Sequence, residues 1–392
     1  MKNIKYTKKC MNIDEIAAVC SDCGNCLFAC PVYNAELIEP TSPRGKVNLV
    51  KSLRDGRLKP DRLNKRFIYQ CALCGSCQHI CTKGVEFVDM MINYRTAAAR
   101  GKKIPLLKKI ILCLYQSFLF KKLTVVVDIL AGTPLGKKLS IPRRRKAKIK
   151  RLFSRAPDQN QYDILLFPGC VLTYFYPEII KKTVTFLKKK GFSVVIPKGL
   201  ACCGFPYISQ GWQEKFFSFK KKNKKIFSQF QFKYLVVPCG TGVMTFKNYY
   251  EFEDKPIEIY ELTEFFYKYI KDAEVNAAQF KVPGSRARKV TFHDPCHQLK
   301  SLGIEAAPRF FMNQLGEDFI DDKSALCCGF AGIFSLGFPS TSKKILKRKE
   351  ETLKELGIDT VVTACPGCYL QLRENLSQHN EENVKFFIDL FE

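Results

Sequence analysis

The chain has 392 residues, enough for roughly two to three domains, and 46% of them are apolar, which excludes wholesale disorder. Sixty-four basic against 37 acidic side chains leave a formal charge of +27, and 19 cysteines stand beside only four histidines, so histidine-rich metal sites and relays are disfavoured. The N-terminus, Met1-Lys2-Asn3-Ile4-Lys5, has no apolar stretch behind its charges and does not read as a secretory signal. Dense cysteine in a chain that is not exported points to metal or redox work rather than to a disulfide framework. The longest uncharged apolar run in mid-chain, Ile110 to Phe120, has 11 residues, whereas a membrane-spanning helix needs about 20. The expected location is cytoplasmic.

Residues 1–100 carry the first constellation. Cys20-x2-Cys23-x2-Cys26-x3-Cys30-Pro31 is followed by Cys71-x2-Cys74-x2-Cys77-x3-Cys81-Thr82. This is the two-cluster ferredoxin run, in which three closely spaced thiolates hold three corners of a cubane and the fourth is carried on to the other cluster. The expected ligation is crossed: Cys20, Cys23, Cys26 and Cys81 hold one [4Fe–4S] cluster, and Cys71, Cys74, Cys77 and Cys30 hold the other. Gly24 and Gly75 stand at equivalent places, where the backbone must bend close to sulfur. Lys46 to Leu53 reads as a helix, and the long segment between the runs suits a helical ferredoxin domain. Structural zinc and disulfides are the alternatives; zinc sites generally use cysteines in pairs. Cys10 and Cys113 lie outside any run and are expected to be ordinary buried thiols. Arg44 is placed to tune the first cluster by its charge, or else is merely solvated.

Residues 101–160 hold 16 basic and two acidic side chains, about half of the excess charge. Within Ile104 to Ile129, Leu106, Leu107, Ile110, Ile111, Leu114, Phe118 and Leu119 recur three and four apart, one apolar face of a helix framed by lysines. Arg143-Arg144-Arg145-Lys146 follows. A basic amphipathic connector of this kind is expected at a membrane surface or membrane subunit. Packing on the protein's own core is the alternative. No nucleic-acid fold signature accompanies the charge, and no nucleic-acid partner is expected.

Downstream, one unit occurs twice, expected over 161–270 and 285–392. Copy one runs from Tyr162-Asp163-Ile164-Leu165-Leu166-Phe167-Pro168-Gly169-Cys170 through Cys202-Cys203-Gly204 to Val236-Val237-Pro238-Cys239. Copy two runs from Val290-Thr291-Phe292-His293-Asp294-Pro295-Cys296 through Cys327-Cys328-Gly329 to Cys365-Pro366-Gly367-Cys368. Helical patterns over Glu178 to Lys190, Trp212 to Phe230 and Ser342 to Leu356 alternate with short apolar strands, the pattern of βαβ units and parallel sheets. The closing segments rhyme as well, Pro256 to Leu262 against Val384 to Leu390. Most of these cysteines fall just past a strand, where open α/β sheets gather their ligands. A sharp turn closed by Gly204 or Gly329 lets adjacent sulfurs face one site; a coincidental buried pair is the alternative. For His293 and His297, flanking Cys296, a hydrogen-bonding structural role is expected, with ligation or proton relay as the alternative.

The spacing Cys-x31-Cys-Cys-x35-Cys-x2-Gly in copy one and Cys-x30-Cys-Cys-x36-Cys-x2-Cys in copy two resembles the cysteine-rich CCG domain found twice in heterodisulfide reductase subunits. The whole layout resembles the iron–sulfur subunits of glycolate oxidase and anaerobic glycerol-3-phosphate dehydrogenase, whose local signatures Ser42-Pro43-Arg44-Gly45 and His293-Asp294-Pro295-Cys296-His297 also match. The resemblance implies a multidomain α+β chain, a helical two-cluster ferredoxin domain followed by two tandem α/β CCG domains with parallel sheets. It implies a non-cubane [4Fe–4S] cluster on Cys296, Cys327, Cys328, Cys365 and Cys368. It implies a further site on Cys170, Cys202, Cys203 and Cys239, where Gly242 replaces the fifth cysteine and the cluster is altered or absent. No Gly-x-Gly-x-x-Gly or Walker segment is visible, so the organic chemistry is expected elsewhere. The function implied is electron transfer from an FAD-dependent dehydrogenase of glycolate, lactate or glycerol-3-phosphate type toward a membrane quinone, peripheral on the inner face of the cell membrane. The alternative is disulfide reduction at the copy-two cluster.

Overall fold

The computed structural model describes residues 15, 18–100, 152–154, 156–158, 161–252, 256–277, 288–376 and 383–391. Cys10, Cys113 and the amphipathic connector, Ile104 to Ile129 with Arg143 to Lys146, lie outside these residues. Among the described residues no helix is long and apolar enough to cross a membrane.

The N-terminal region is helical, with Asn25–Ala29, Pro31–Glu36, Pro43–Arg54, Arg62–Tyr69, Ser76–His79 and Phe87–Ala99. Helix Pro43–Arg54 contains the expected Lys46–Leu53 segment. It begins at Ser42, whose Oγ accepts from the Gly45 amide at 2.8 Å, with proline in its first turn. A Cβ on Gly45 would lie 2.0 Å from the Glu39 carbonyl oxygen, so the Ser-Pro-Arg-Gly signature is a tight chain crossing that only glycine permits.

Two all-parallel sheets follow. The first has order β1-β3-β2-β4-β5, from Phe153–Ser154, Tyr162–Leu166, Val194–Pro197, Phe232–Val237 and Glu258–Glu261 in chain order. Its edge strand β1 comes from upstream of residue 161, the expected start of the repeat. The second has order β6-β7-β8, from Val290–Phe292, Thr360–Thr363 and Val384–Phe386. A parallel bridge from Val290 to Phe319 adds, beside β6, the neighbour that β3 supplies beside β2. The expected helices are present as Pro177–Lys189, Gln213–Phe227 and Pro339–Glu355.

Strand register corrects the rhyme of the closing segments. Leu235 pairs with Ile259 in copy one, and Val361, at the same distance before its cysteine, pairs with Val384 in copy two. Ile259, not Pro256, is therefore the counterpart of Val384. The textual match of Glu261 with Asp389 gives way to a structural match of Glu261 with Phe386, each the cap of the following helix.

The two copies share one apolar core. Phe266 of copy one packs on Phe311, Phe387 and Phe391 of copy two, with ring centroids 5.3–6.3 Å apart. Each such buried ring contributes about 1.5–3 kcal/mol, so the copies fold against each other. A second core joins Met90, Met91 and Phe87 of the helical region to the opposite face of the first sheet. A third, small cluster places Val32, Ala72 and Cys74 against Phe334 and Ile345 of copy two.

Candidate metal centres

All 17 described cysteines are free thiols. In the helical region they line two adjoining cavities. Cys20, Cys23, Cys26 and Cys81 line the first, with Arg44 and Phe87; Cys30, Cys71 and Cys74 line the second, with Lys46; Cys77 belongs to the wall of both. The fourth cysteine of each run thus reaches the other run's cavity, because short helices Asn25–Ala29 and Ser76–His79 carry the chain away from the first three. The linings are otherwise largely apolar, and the only soft ligands are thiols, a donor set that suits iron–sulfur groups.

Burial raises the thiols of Cys26, Cys74 and Cys77 and pushes Cys30 up to about 12. Such thiols ionise at neutral pH only beside strong positive charge, which bound metal supplies. Two cations that carry no local sequence signal assist. Lys46 is 1% exposed; its ammonium donates to the Thr41 carbonyl and lies in the field of Cys71 and Cys30. Burial nevertheless holds its pKa below the ordinary lysine value. Arg95, equally buried, donates to the carbonyls of Ser209 at 2.7 Å, Ile68 at 2.9 Å and Cys71 at 3.2 Å, tying the second loop to copy one. Arg44 is half-exposed at the first cavity, paired with Glu39 at 2.8 Å.

In copy two, Cys328 and Cys368 bring their sulfurs to 3.4 Å. Gly329 takes a left-handed φ of 82°, and a Cβ there would lie 2.5 Å from the Ser342 carbonyl oxygen, so glycine is what allows the Cys-Cys turn to close. Cys296, pushed up by burial, feels Cys74 of the helical region as well as Cys328 and Cys365. Hydrogen bonds from neighbouring thiols draw Cys328 and Cys365 well below the ordinary value, Cys327 and Cys368 acting on the first, Cys239 and Cys368 on the second.

Copy one gathers Cys170, Cys202 and Cys203 in the same way, with the Cys202 thiol raised by its Cys170 and Cys203 neighbours and by burial. Cys239, however, lies in the field of Cys365 of copy two as well as of Cys203. Gly242 stands where copy two has Cys368. A Cβ on it would lie 2.8 Å from Cγ1 of Val237 and 3.9 Å from the Cys239 sulfur.

The two histidines differ. His297 meets the structural expectation: its Nε2 donates to the Leu73 carbonyl at 2.9 Å, which leaves Nδ1 to accept from the Thr241 hydroxyl at 2.7 Å. Burial keeps it neutral by lowering its pKa. It thereby links the loop between Cys71 and Cys74, the residue pair after Cys239, and Cys296. His293, 1% exposed, has no such partners at either ring nitrogen. It forms a group with the thiols of Cys328 and Cys368, with all ligand atoms within 4.8 Å of one another.

Comparison with known proteins agrees with this geometry. Residues 164–247 and 290–373 each match the cysteine-rich domain family, and residues 16–85 match the 4Fe-4S dicluster domain. The chain therefore belongs to the iron–sulfur proteins that join a 4Fe-4S dicluster domain to two cysteine-rich domains. It is similar to a subunit of the fumarate reductase (CoM/CoB) of Methanothermobacter marburgensis, 26% identical over 93% of this chain and 69% of that one. It is also similar to the probable glycolate oxidase iron-sulfur subunit of Bacillus subtilis, 25% identical over 90% of this chain and 88% of the relative. The glycolate oxidase iron-sulfur subunit of Escherichia coli is 22% identical over 100% and 97% of the two chains. A crystal structure of a hypothetical protein from Helicobacter pylori shares the fold, with a TM-score of 0.51 at 10% identity over 89% of this chain and 67% of that one.

Proposed function

We propose that this chain is the electron-transfer subunit of an oxidoreductase complex, taking electrons from an FAD-dependent dehydrogenase of glycolate, lactate or glycerol-3-phosphate type and passing them toward a membrane quinone. Cys20, Cys23, Cys26 and Cys81 would hold one [4Fe–4S] cluster, and Cys71, Cys74, Cys77 and Cys30 a second. Cys296, Cys327, Cys328, Cys365 and Cys368 would hold a non-cubane cluster, and Cys170, Cys202, Cys203 and Cys239 a further one. Bound there, these groups supply reversible one-electron storage.

The observation that carries the reading is the continuity of the four sulfur sites. Cys77 walls both cavities of the helical region, Cys74 lies in the field of Cys296 and Cys327, and Cys239 lies in the field of Cys365. The residues therefore support one ordered path, from the first cavity to the second, then copy two, then copy one. The basic connector and the names of the glycolate oxidase relatives favour a complex at the membrane surface.

The complete five-cysteine set of copy two, with the relative named as a fumarate reductase (CoM/CoB) component, favours a second reading, disulfide reduction at that site. Anaerobically purified protein, reduced and offered quinone analogues or heterodisulfides, decides between them. Quinone reduction without disulfide turnover is the expected result. Disulfide turnover alone overturns the ranking, and a colourless, iron-poor preparation overturns both.

A further inference from the structure

The repeat contains an internal comparison at its metal centres. The amides of Phe167 and His293 donate to Val236 and Val362, at 2.9 and 2.7 Å, each carbonyl three residues before a site cysteine. Phe167 and His293 are therefore structural counterparts, both 1% exposed. Among the differences between the sites, copy two has His293 and Cys368 where copy one has Phe167 and Gly242. In copy two these residues face each other, together with Cys328.

A buried imidazole without oxygen or nitrogen partners leaves its polar groups desolvated and unmet. His297, four residues on, avoids that with both nitrogens bonded. For His293 the neighbours are sulfurs, those of Cys328 and Cys368. Five thiolates already exceed the four irons of a [4Fe–4S] group, so a sixth ligand is superfluous, whereas the extra thiolate charge calls for a donor.

We propose that His293 is a positioning residue of the copy-two centre, its ring N–H donating to the Cys328–Cys368 sulfur pair, and that this donor accompanies the fifth cysteine. The proposal rests on the reading that copy two holds an iron–sulfur group. Hydrogen bonds to ligand sulfur favour the more negative, reduced state. His293 therefore raises the potential of this centre, a contribution that the phenylalanine in its place in copy one cannot make.

The test uses the full chain, prepared without oxygen and labelled with 15N-histidine. Pulsed spin-resonance spectra are taken on the signal that Cys368→Ser removes. A weak histidine-nitrogen coupling is expected. His293→Phe should abolish it and shift the potential downward with iron content unchanged, and His293→Gln, which keeps an N–H donor, should restore part of the shift. Absence of the coupling in the unmodified chain overturns the proposal. So does a strong coupling with iron lost in both variants, which would make His293 a ligand. Absence of any iron signal dependent on Cys368 sinks the underlying reading as well.

Discussion

Copy one and copy two share the parallel pairing and register of their last two strands and the same doubled cysteine closed by a left-handed glycine, although the sheet of copy one has five strands and that of copy two three. At the sites they differ beyond the strand ends, where Phe167 replaces His293 and Gly242 replaces Cys368, and they differ in the ion pairs beneath. Copy two buries Lys349 against Asp322, at 1% and 2% side-chain exposure, whereas the Lys220–Glu251 pair of copy one is 11% and 34% exposed. The scaffold tolerates divergence at its loops because the strands and shared aromatic core carry the fold, while the loops carry the chemistry.

The comparison is broken most severely at the cysteines. Cys328→Ser should remove the copy-two centre, and with it about four iron atoms per chain, while leaving the copy-one site in place. Cys202→Ser should do the reverse, and iron and sulfide counts with spin-resonance spectra read both. Next comes the buried ion pair. Lys349→Met leaves Asp322 uncompensated and should cost about 3–5 kcal/mol, against about 1 kcal/mol for Lys220→Met at the more open pair, measured by denaturant unfolding. Burial alone would raise the Asp322 carboxyl, but the Lys349 ammonium and hydrogen bonds from Ser324 outweigh it and hold it below the ordinary range. The stabilisation is therefore present above the unfolded carboxyl's pKa and lost as pH falls through the folded one. An acid titration of unfolding should show this loss, and Lys349→Met should remove it.

Gly242→Cys sharpens the comparison by giving copy one a fifth thiol. Because a Cβ there meets Val237, it should cost about 1–3 kcal/mol in strain. Adding Val237→Ala should relieve that strain and move the copy-one spectrum toward that of copy two. A pH test concerns the caps of the last helices, Glu261 in copy one and Phe386 in copy two. Burial pushes the Glu261 carboxyl up to about 8, so the folded state keeps a proton that the unfolded chain has released. Stability should fall as pH rises from the unfolded value toward 8, by at most about 1.4 kcal/mol per pH unit. Glu261→Gln should flatten that slope in thermal melts.

Much of the site is legible in the sequence because its ligands are cysteines at characteristic spacings. The two runs match the two-cluster ferredoxin pattern, whose crossed assignment puts Cys81 with Cys20 and Cys30 with Cys71, and the doubled cysteines with glycine define a turn. Long-range burial is not legible. Lys46, Arg95 and Lys349 look like solvated cations in a chain rich in them, and only packing reveals them as interior charges. His293 and His297 look interchangeable in the sequence, yet His297 is tied to Leu73 and Thr241 whereas His293 faces the sulfurs of Cys328 and Cys368. The closing segments rhyme three residues out of register because apolar alternation has no unique phase without the neighbouring strand.

The bond from His297 to Leu73 bears on biogenesis. Leu73 is synthesised early and lies between two cysteines of the second run, whereas His297 emerges from the ribosome more than 200 residues later. The loop that presents those cysteines therefore gains its final anchor only when most of the chain exists, so the N-terminal clusters should be inserted or locked in place late, after translation has delivered the second repeat.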